Sequence, residues 1–273
     1  MSSIPLLLDQ IDITDIISIA KEAGEVIMTV YVQDFQVAFK ADESPLTEAD
    51  QKSNQVIEAG LKKISDTLGV NIPILSEEGR DIPYEERKSW TTFWLVDPLD
   101  GTKEFVKRND EFTVNIALIH NNTPVLGVVY TPALGQLYYA KQGDGAFKSE
   151  RINSNIVTHT LPIASERKPG ELKIVASKSH LSKETEQFID DLAKQGHKIT
   201  LESIGSSLKL CLVAEGKADI YPRLGPTMEW DTGAAHAIVN EAGFSLQKFT
   251  FEHGYEPHLY NKENLLNDWF VVK

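Results

Sequence analysis

Apolar residues recur at helical spacing from about Thr14 to Tyr31, at Ile16, Ile17, Ile19, Ala20, Ala23 and Ile27, which predicts an amphipathic helix. Thr47 is the expected N-cap of a second helix ending near Gly69. Ile72–Leu75 and Phe93–Val96 are short apolar runs that end in acidic residues, as buried strands do when their C-terminal ends meet a polar site. From Thr113 to Lys148 the pattern turns strand-like. Val114–Ile119, Pro124–Tyr130 and Gln136–Tyr139 are separated by Asn121-Asn122 and Ala133-Leu134-Gly135, which predicts an antiparallel meander. The stretch from Asn153 to Arg167 reads as irregular and suggests a boundary between two lobes, 1–161 and 162–273. Beyond it, strands at Lys173–Ala176, Lys198–Leu201 and Ala218–Tyr221 alternate with helices at about Ser182–Gln195, Ser206–Glu215 and Asp231–Ala242. Such alternation points to layered sheets and helices, an α/β or α+β sandwich with a cleft between its lobes.

Composition narrows the class. The chain has 273 residues, 41% of them hydrophobic, which is ample for a sizeable core. No apolar run approaches the roughly 20 residues of a membrane-spanning helix. The opening Met1–Asp9 has neither the basic flank nor the small-residue cleavage site of a signal peptide. A cytoplasmic protein without an integral membrane segment is expected; peripheral attachment at the inner membrane and the oligomeric state stay open. Cys211 is the only cysteine, which excludes an intrachain disulfide, and its apolar setting, Leu210–Val213, suits a small core residue. A net charge of −13 argues against a general nucleic-acid binder. A small anionic ligand remains compatible, provided that local cations or metal ions receive it.

The candidate chemistry lies in Asp97-Pro98-Leu99-Asp100-Gly101-Thr102, where a hydrophobic strand runs into a pair of aspartates. Pro98 stiffens the turn and Gly101 permits close backbone approach. Neighbouring carboxylates repel one another unless a cation lies between them, and hard oxygen ligands suit Mg²⁺. An isolated Asp-Pro-x-Asp-Gly would be an ordinary solvated turn. Two further acidic segments shift the balance: Glu77-Glu78 closes a second apolar strand, and Asp231 opens a small-residue helix. Phosphatases of the haloacid-dehalogenase type place their aspartates at alternate positions, on one face of a strand end. Here they are three positions apart, so that nucleophile-and-acid geometry does not transfer.

These motifs, Leu75-Ser-Glu-Glu78, Trp94-Leu-Val-Asp-Pro-Leu-Asp-Gly-Thr102 and Trp230-Asp-Thr-Gly-Ala-Ala-His236, resemble those of the inositol monophosphatase superfamily of lithium-sensitive, Mg²⁺-dependent phosphatases. The resemblance covers most of the chain and leaves out about the first dozen residues. It implies a layered αβαβα sandwich of the inositol monophosphatase and fructose-1,6-bisphosphatase type. It further implies that Glu77, Asp97 and the Leu99 carbonyl hold one Mg²⁺. Asp97, Asp100 and Asp231 would hold a second, with Glu77 helping a weakly held third. Asp50 would pair with the Thr102 hydroxyl to orient the attacking water, and Asp100-Gly101-Thr102 would hold the departing phosphate.

Lys40–Asp50, Asp100–Arg108 with Glu111–Leu118, and Ile204–Lys209 with Tyr221–Pro226 resemble the nucleotidase branch of that superfamily. The resemblance then assigns His180, Ser206, Lys209 and Arg223 to an adenosine and its second phosphate. Lysine and arginine suit a phosphate, arginine by paired contacts. Taken singly, His180 is also an ordinary surface histidine, Lys209 a helix-face cation and Gly205-Ser206-Ser207 a helix start. His236 is expected to support structure rather than ligate. The implied activity is hydrolysis of the 3'-phosphate of adenosine 3',5'-bisphosphate to AMP, with 3'-phosphoadenylyl sulfate as a further substrate and a place in sulfur assimilation. The alternatives are an inositol or other sugar-phosphate phosphatase and a non-catalytic, metal-dependent nucleotide sensor.

Overall fold

A computed structural model describes residues 4–32, 37–39, 45–163, 169–176 and 181–273. Helix α1 (Ile4–Gln10) precedes α2 (Ile13–Tyr31), which starts where the Asp12 carboxylate accepts from the Thr14 amide. Its buried stripe, Ile16, Ile19, Ala20, Ala23, Ile27 and Val30, follows the expected helical period. A short antiparallel pair, β1 (Val37–Phe39) and β2 (Pro45–Thr47), leads into α3 (Glu48–Leu68). The buried face of α3 starts polar, with Asp50, Ser53 and Asn54, and turns apolar at Ile57 and Leu61. The side chain of Thr47 lies outside the described residues.

Seven strands form the main sheet: β3 (Ile74–Ser76), β4 (Thr92–Asp100), β5 (Thr113–His120), β6 (Thr123–Thr131), β7 (Gln136–Lys141), β8 (Gly145–Ile152) and β9 (Asn155–Thr160), in that order. Only β3 and β4 are parallel; the remaining neighbours are antiparallel. Between β3 and β5 lie α4 (Tyr84–Arg87) and α5 (Thr102–Lys107). The irregular stretch expected from Asn153 to Arg167 is corrected as far as Thr160, where β8 and β9 form a hairpin; residues 164–167 lie outside the described residues. Asn153 and Ser154 form its turn at φ 48° and 69°, left-handed values that suit the twist of a tight hairpin.

Alternate side chains of the sheet serve two cores. Trp94, Val96, Val114, Ile116, Leu118, Leu126 and Val128 pack under α2 and α3. Phe93, Leu95, Ala117, Ile119 and Val129 pack on the other face, against the later helices α7 (Leu208–Ala214) and α8 (Gly233–Glu241). Gly127 makes that second contact close. A Cβ there would sit 2.1 Å from the Ala234 carbonyl oxygen, so α8 lies directly on the sheet backbone.

Beyond α7 and α8 lies a four-stranded antiparallel sheet in the order β12 (Tyr221–Arg223), β15 (Phe270–Val272), β13 (Leu246–Thr250), β14 (Gly254–Pro257). A parallel pair, β10 (Glu171–Ala176) and β11 (Lys198–Ser203), joins it through a bridge between Ile174 and Ile220. Helix α6 (Lys183–Lys194), capped by Ser182, closes the stack over Ile174, Phe188, Ile220, Phe249 and Val271. The layers thus run helix, sheet, helix, sheet, helix. The strand expected at Ala218–Tyr221 begins instead at Tyr221. A buried Lys148, 3.3 Å from Glu215 at the end of α7, ties the meander to the central helices. Among the described residues, no helix is long and apolar enough to cross a membrane.

Candidate active site

The parallel register of β3 and β4 builds the first part of the site. Ser76 stands opposite Val96, so the next residues along, Glu77 and Asp97, leave the paired ends of the two strands together. The Glu77 amide donates to the Val96 carbonyl at 3.2 Å, which extends the ladder to this point. Pairing with β5 then slips between Asp97 and Asp100: Asp97 faces Asn115 and Asp100 faces Thr113, so β4 carries one extra residue. Such a bulge re-aims side chains beside a site. The Leu99 amide donates to Asp97 Oδ1 at 3.1 Å, and Ser53 Oγ on α3 donates to the Pro98 carbonyl at 2.8 Å. Gly101 follows at φ 91°, where a side chain would be strained, and turns the chain into α5.

Asp231 arrives from the other side, in a 3-10 turn (Glu229–Asp231) just before α8. That turn is heavily clamped. The Met228 amide donates to Asp231 Oδ2 at 2.8 Å. Buried Glu229 accepts from the amides of Asn261 and Lys262 and from Lys262 Nζ. Asn267 Nδ2 donates to the Met228 carbonyl, and Arg87, at the end of α4, donates to Asn261 Oδ1 and the carbonyls of Lys262 and Glu263. The segment from Asn261 to Asn267 is thus a strap that fixes Asp231 relative to the chain that follows Glu77.

Carboxylate oxygens of Glu77, Asp97 and Asp231 come within 4.8 Å of one another. Asp97 is buried, and burial first, then repulsion from Glu77, Asp100, Asp231 and Asp50, pushes its pKa well above the usual carboxylate range. Burial and Asp100 push Asp231 up to about 8, against the opposing amide of Met228. Negative groups held this close, with hard oxygen donors turned inward, fit a divalent cation such as Mg²⁺. Asp50, buried in the first turn of α3, is near enough to add to the repulsion on Asp97. Thr102 Oγ1 lies 3.4 Å from the Leu99 carbonyl oxygen.

Next to the carboxylates opens a cavity of about 300 Å³. Asp100, Gly101, Ser206, Lys209, Arg223 and Asp231 are among its lining residues, which brings six of the sequence-derived site residues to one cleft. Lys209 Nζ donates to the carbonyls of Ser206 (2.8 Å) and Ile204 (3.3 Å), and burial, with Arg223 beside it, lowers its pKa to about 8. Arg223 Nη2 donates to the Pro226 carbonyl at 2.7 Å, while its buried Nε has no hydrogen-bond partner among the described residues. The cleft is therefore lined by carboxylates suited to a cation and by basic side chains suited to an anion. His180 lies outside the described residues.

Sequence reasoning missed the polar residues that hold the ligands. Ser207, next to the expected Ser206, contacts Asp100. Ser53 holds the bulge, and Asn54 accepts from Ser76 Oγ at the end of β3. A signal existed: Ser53 and Asn54 share the helical face of Asp50, and Asn115 interrupts an otherwise apolar strand.

The Inositol monophosphatase family model matches residues 8–267, nearly the whole chain. The chain belongs to the inositol monophosphatase family. Within this family it is similar to the protein named 3'(2'),5'-bisphosphate nucleotidase CysQ of Salmonella typhimurium, with 48% identity over 93% of this chain and 96% of the relative. CysQ of Escherichia coli K12 is 46% identical over the same shares. The crystal structure of CysQ from Bacteroides thetaiotaomicron, described as a bacterial member of the inositol monophosphatase family, superposes with a TM-score of 0.81 at 47% identity. That match covers 95% of this chain and 96% of the other.

Proposed function

We propose that this family member is a Mg²⁺-dependent 3'(2'),5'-bisphosphate nucleotidase that hydrolyses the 3'-phosphate of adenosine 3',5'-bisphosphate to AMP and phosphate. The observation that carries the reading is a single cleft of about 300 Å³ lined both by the carboxylates Asp100 and Asp231 and by the cations Lys209 and Arg223. A substrate with two phosphates suits such a lining, one phosphate beside the carboxylate-held cation and the other on the basic side chains. The names of relatives at 46–48% identity support the same substrate class.

In this reading Glu77, Asp97 and the Leu99 carbonyl hold one Mg²⁺; Asp97, Asp100 and Asp231 hold another, and Glu77 assists a third. Mg²⁺ held by these residues would supply a water of lowered pKa and offset charge on the leaving oxygen. The chain's own part is positioning. Asp50, paired with the Thr102 hydroxyl, orients the attacking water, and the Asp100-Gly101-Thr102 turn receives the departing phosphate. Lys209 and Arg223 take the second phosphate as charged donors. Ser206 contributes a polar contact, and His180 packs on the base or its phosphate. Phosphoryl transfer asks for little more than alignment and charge neutralisation. 3'-Phosphoadenylyl sulfate presents the same pair of anionic ends and is a further substrate. The division into lobes at 1–161 and 162–273 then separates most metal ligands from the nucleotide contacts. A cytoplasmic location accompanies the reading.

Phosphate release from adenosine 3',5'-bisphosphate and from inositol 1-phosphate, measured side by side with Mg²⁺ and with a chelator, tests it. A Mg²⁺-dependent preference for the bisphosphate is expected. Equal rates would overturn the substrate assignment while keeping the metal site. No release from either would leave a metal-dependent nucleotide sensor.

A further inference from the structure

Ser207 stands at the N-cap position of α7, where a serine hydroxyl ordinarily accepts from an amide of its own helix. It makes no such cap bond. Its hydroxyl is turned into the acidic site instead. The Ser207 amide donates to Asp100 Oδ2 at 2.6 Å, and Ser207 Oγ lies 2.7 Å from the same oxygen. The hydroxyl also lies 2.7 Å from the main-chain oxygen of Asp231, so its single proton has two acceptors. It accepts in turn from Asn115 Nδ2 at 2.9 Å. Ser207 and Asn115 are each 1% exposed, so water does not compete for these bonds.

The local backbone is arranged for this aim. Ser206, the preceding residue, takes φ 48°, a left-handed conformation uncommon for a residue with a side chain. A carboxylate oxygen has about two lone-pair sites. The amide of Ser207 takes one of those of Asp100 Oδ2 and its hydroxyl lies within reach of the other, with Thr113 Oγ1 a distant third contact at 3.5 Å. Oδ1, which makes none of these contacts, is the oxygen turned to a cation.

We propose that Ser207 is a positioning residue of the metal centre: it holds Asp100 as a one-oxygen ligand and fixes it against the backbone of Asp231. Lys209 lies two residues further along, so one turn of chain joins the metal carboxylates to the cation of the nucleotide end. The inference rests on the metal reading given above, and the experiment separates the two. Mg²⁺ is titrated calorimetrically into the wild-type protein, Ser207→Ala and Ser207→Thr. The alanine variant keeps the amide bond to Asp100 and loses only the hydroxyl. Its Mg²⁺ affinity is expected to fall about tenfold, the usual cost of removing an outer hydrogen-bond partner of a ligand. At saturating Mg²⁺ its kcat returns towards wild type with KM for adenosine 3',5'-bisphosphate unchanged, which a general loosening of α7 would not give. The threonine variant, which keeps the hydroxyl, retains near wild-type affinity. Wild type that binds no Mg²⁺ overturns the metal reading itself. Wild type that binds, with Ser207→Ala binding equally well or with KM rising in parallel, overturns the role of Ser207 alone. Should the alanine variant not fold, Ser207→Thr decides: lost Mg²⁺ binding in a folded threonine variant also refutes the role.

Discussion

Replacing Asp97 by asparagine should abolish activity and at the same time stabilise the metal-free protein. Asp97 is buried, and its carboxylate oxygen lies within 4.8 Å of one from Asp231. At an effective dielectric of about 20, two full charges at that separation repel by roughly 3–4 kcal/mol. Partial protonation at neutral pH removes part of that, and the exposed Glu77 is screened by water. A net gain of about 2 kcal/mol on removing the Asp97 charge is reasonable, or about 5 °C in Tm for a chain of this size. Asparagine keeps an oxygen for the Leu99 amide, so the bulge itself is spared. The sign of the pH dependence follows from the raised pKa values. A carboxylic acid whose folded pKa exceeds its unfolded value adds nothing unfavourable below the unfolded pKa. It costs stability as pH rises towards the folded one, about 8 for Asp231. Metal-free wild type should therefore melt higher at pH 5.5 than at pH 8, and Asp97→Asn should flatten that slope. With Mg²⁺ the order reverses: wild type gains stability by mass action, and the variant gains much less. Thermal melts followed by circular dichroism, in chelator and in Mg²⁺, at both pH values, supply the assay. A metal-free variant that melts below wild type, or that responds to Mg²⁺ as strongly, would refute the electrostatic account of the cluster.

Lys209→Ala and Arg223→Ala should each lower kcat/KM for the bisphosphate by roughly 10–100-fold, the worth of a hydrogen bond to a charged group, while a simple monophosphate is much less affected; equal losses on both would misplace the nucleotide end. Since burial lowers Lys209 to about pH 8, KM for the bisphosphate should also rise above that pH as the ammonium is lost. Gly127→Ala forces a methyl group to within 2.1 Å of the Ala234 oxygen and should cost about 3 kcal/mol in urea unfolding, an overpacking penalty at the upper end. A loss below about 1 kcal/mol would show that α8 shifts easily on the sheet.

The parts of the fold legible in the sequence are those where one face is buried and the other wet, or where an apolar run stops at a charge. Helix α2 and the acidic ends of β3 and β4 each meet one of these conditions, and the meander β5 to β7, whose β5 and β6 are buried on both faces, is legible instead from apolar runs that stop at turn residues. Strand β9 met neither. It is the outer strand of its sheet, largely exposed, so its Thr158 and Thr160 carry no alternating signal. Strand β15 is buried on both faces and only three residues long, too short to distinguish from any apolar triplet. At the site, the carboxylates announce themselves because their mutual proximity is costly. The supporting Ser207, Ser53 and Asn115 do not, since small polar residues are equally at home in turns. Only the fold brings Asn115 of β5 to within 2.9 Å of Ser207.

The strap from Asn261 to Asn267 also bears on how the molecule is made. Synthesis delivers a chain from its N-terminus, and segments fold as they emerge. Glu77, Asp97 and Asp100 leave the ribosome long before the residues that clamp Asp231. Strand β15, between β12 and β13, is later still, and that sheet stays open until it arrives. A nascent chain therefore exposes most of the carboxylate cluster with no fixed final member. A cation site that needs Asp231 would therefore be completed late, and a chain halted before residue 261 would lack the clamp that fixes it.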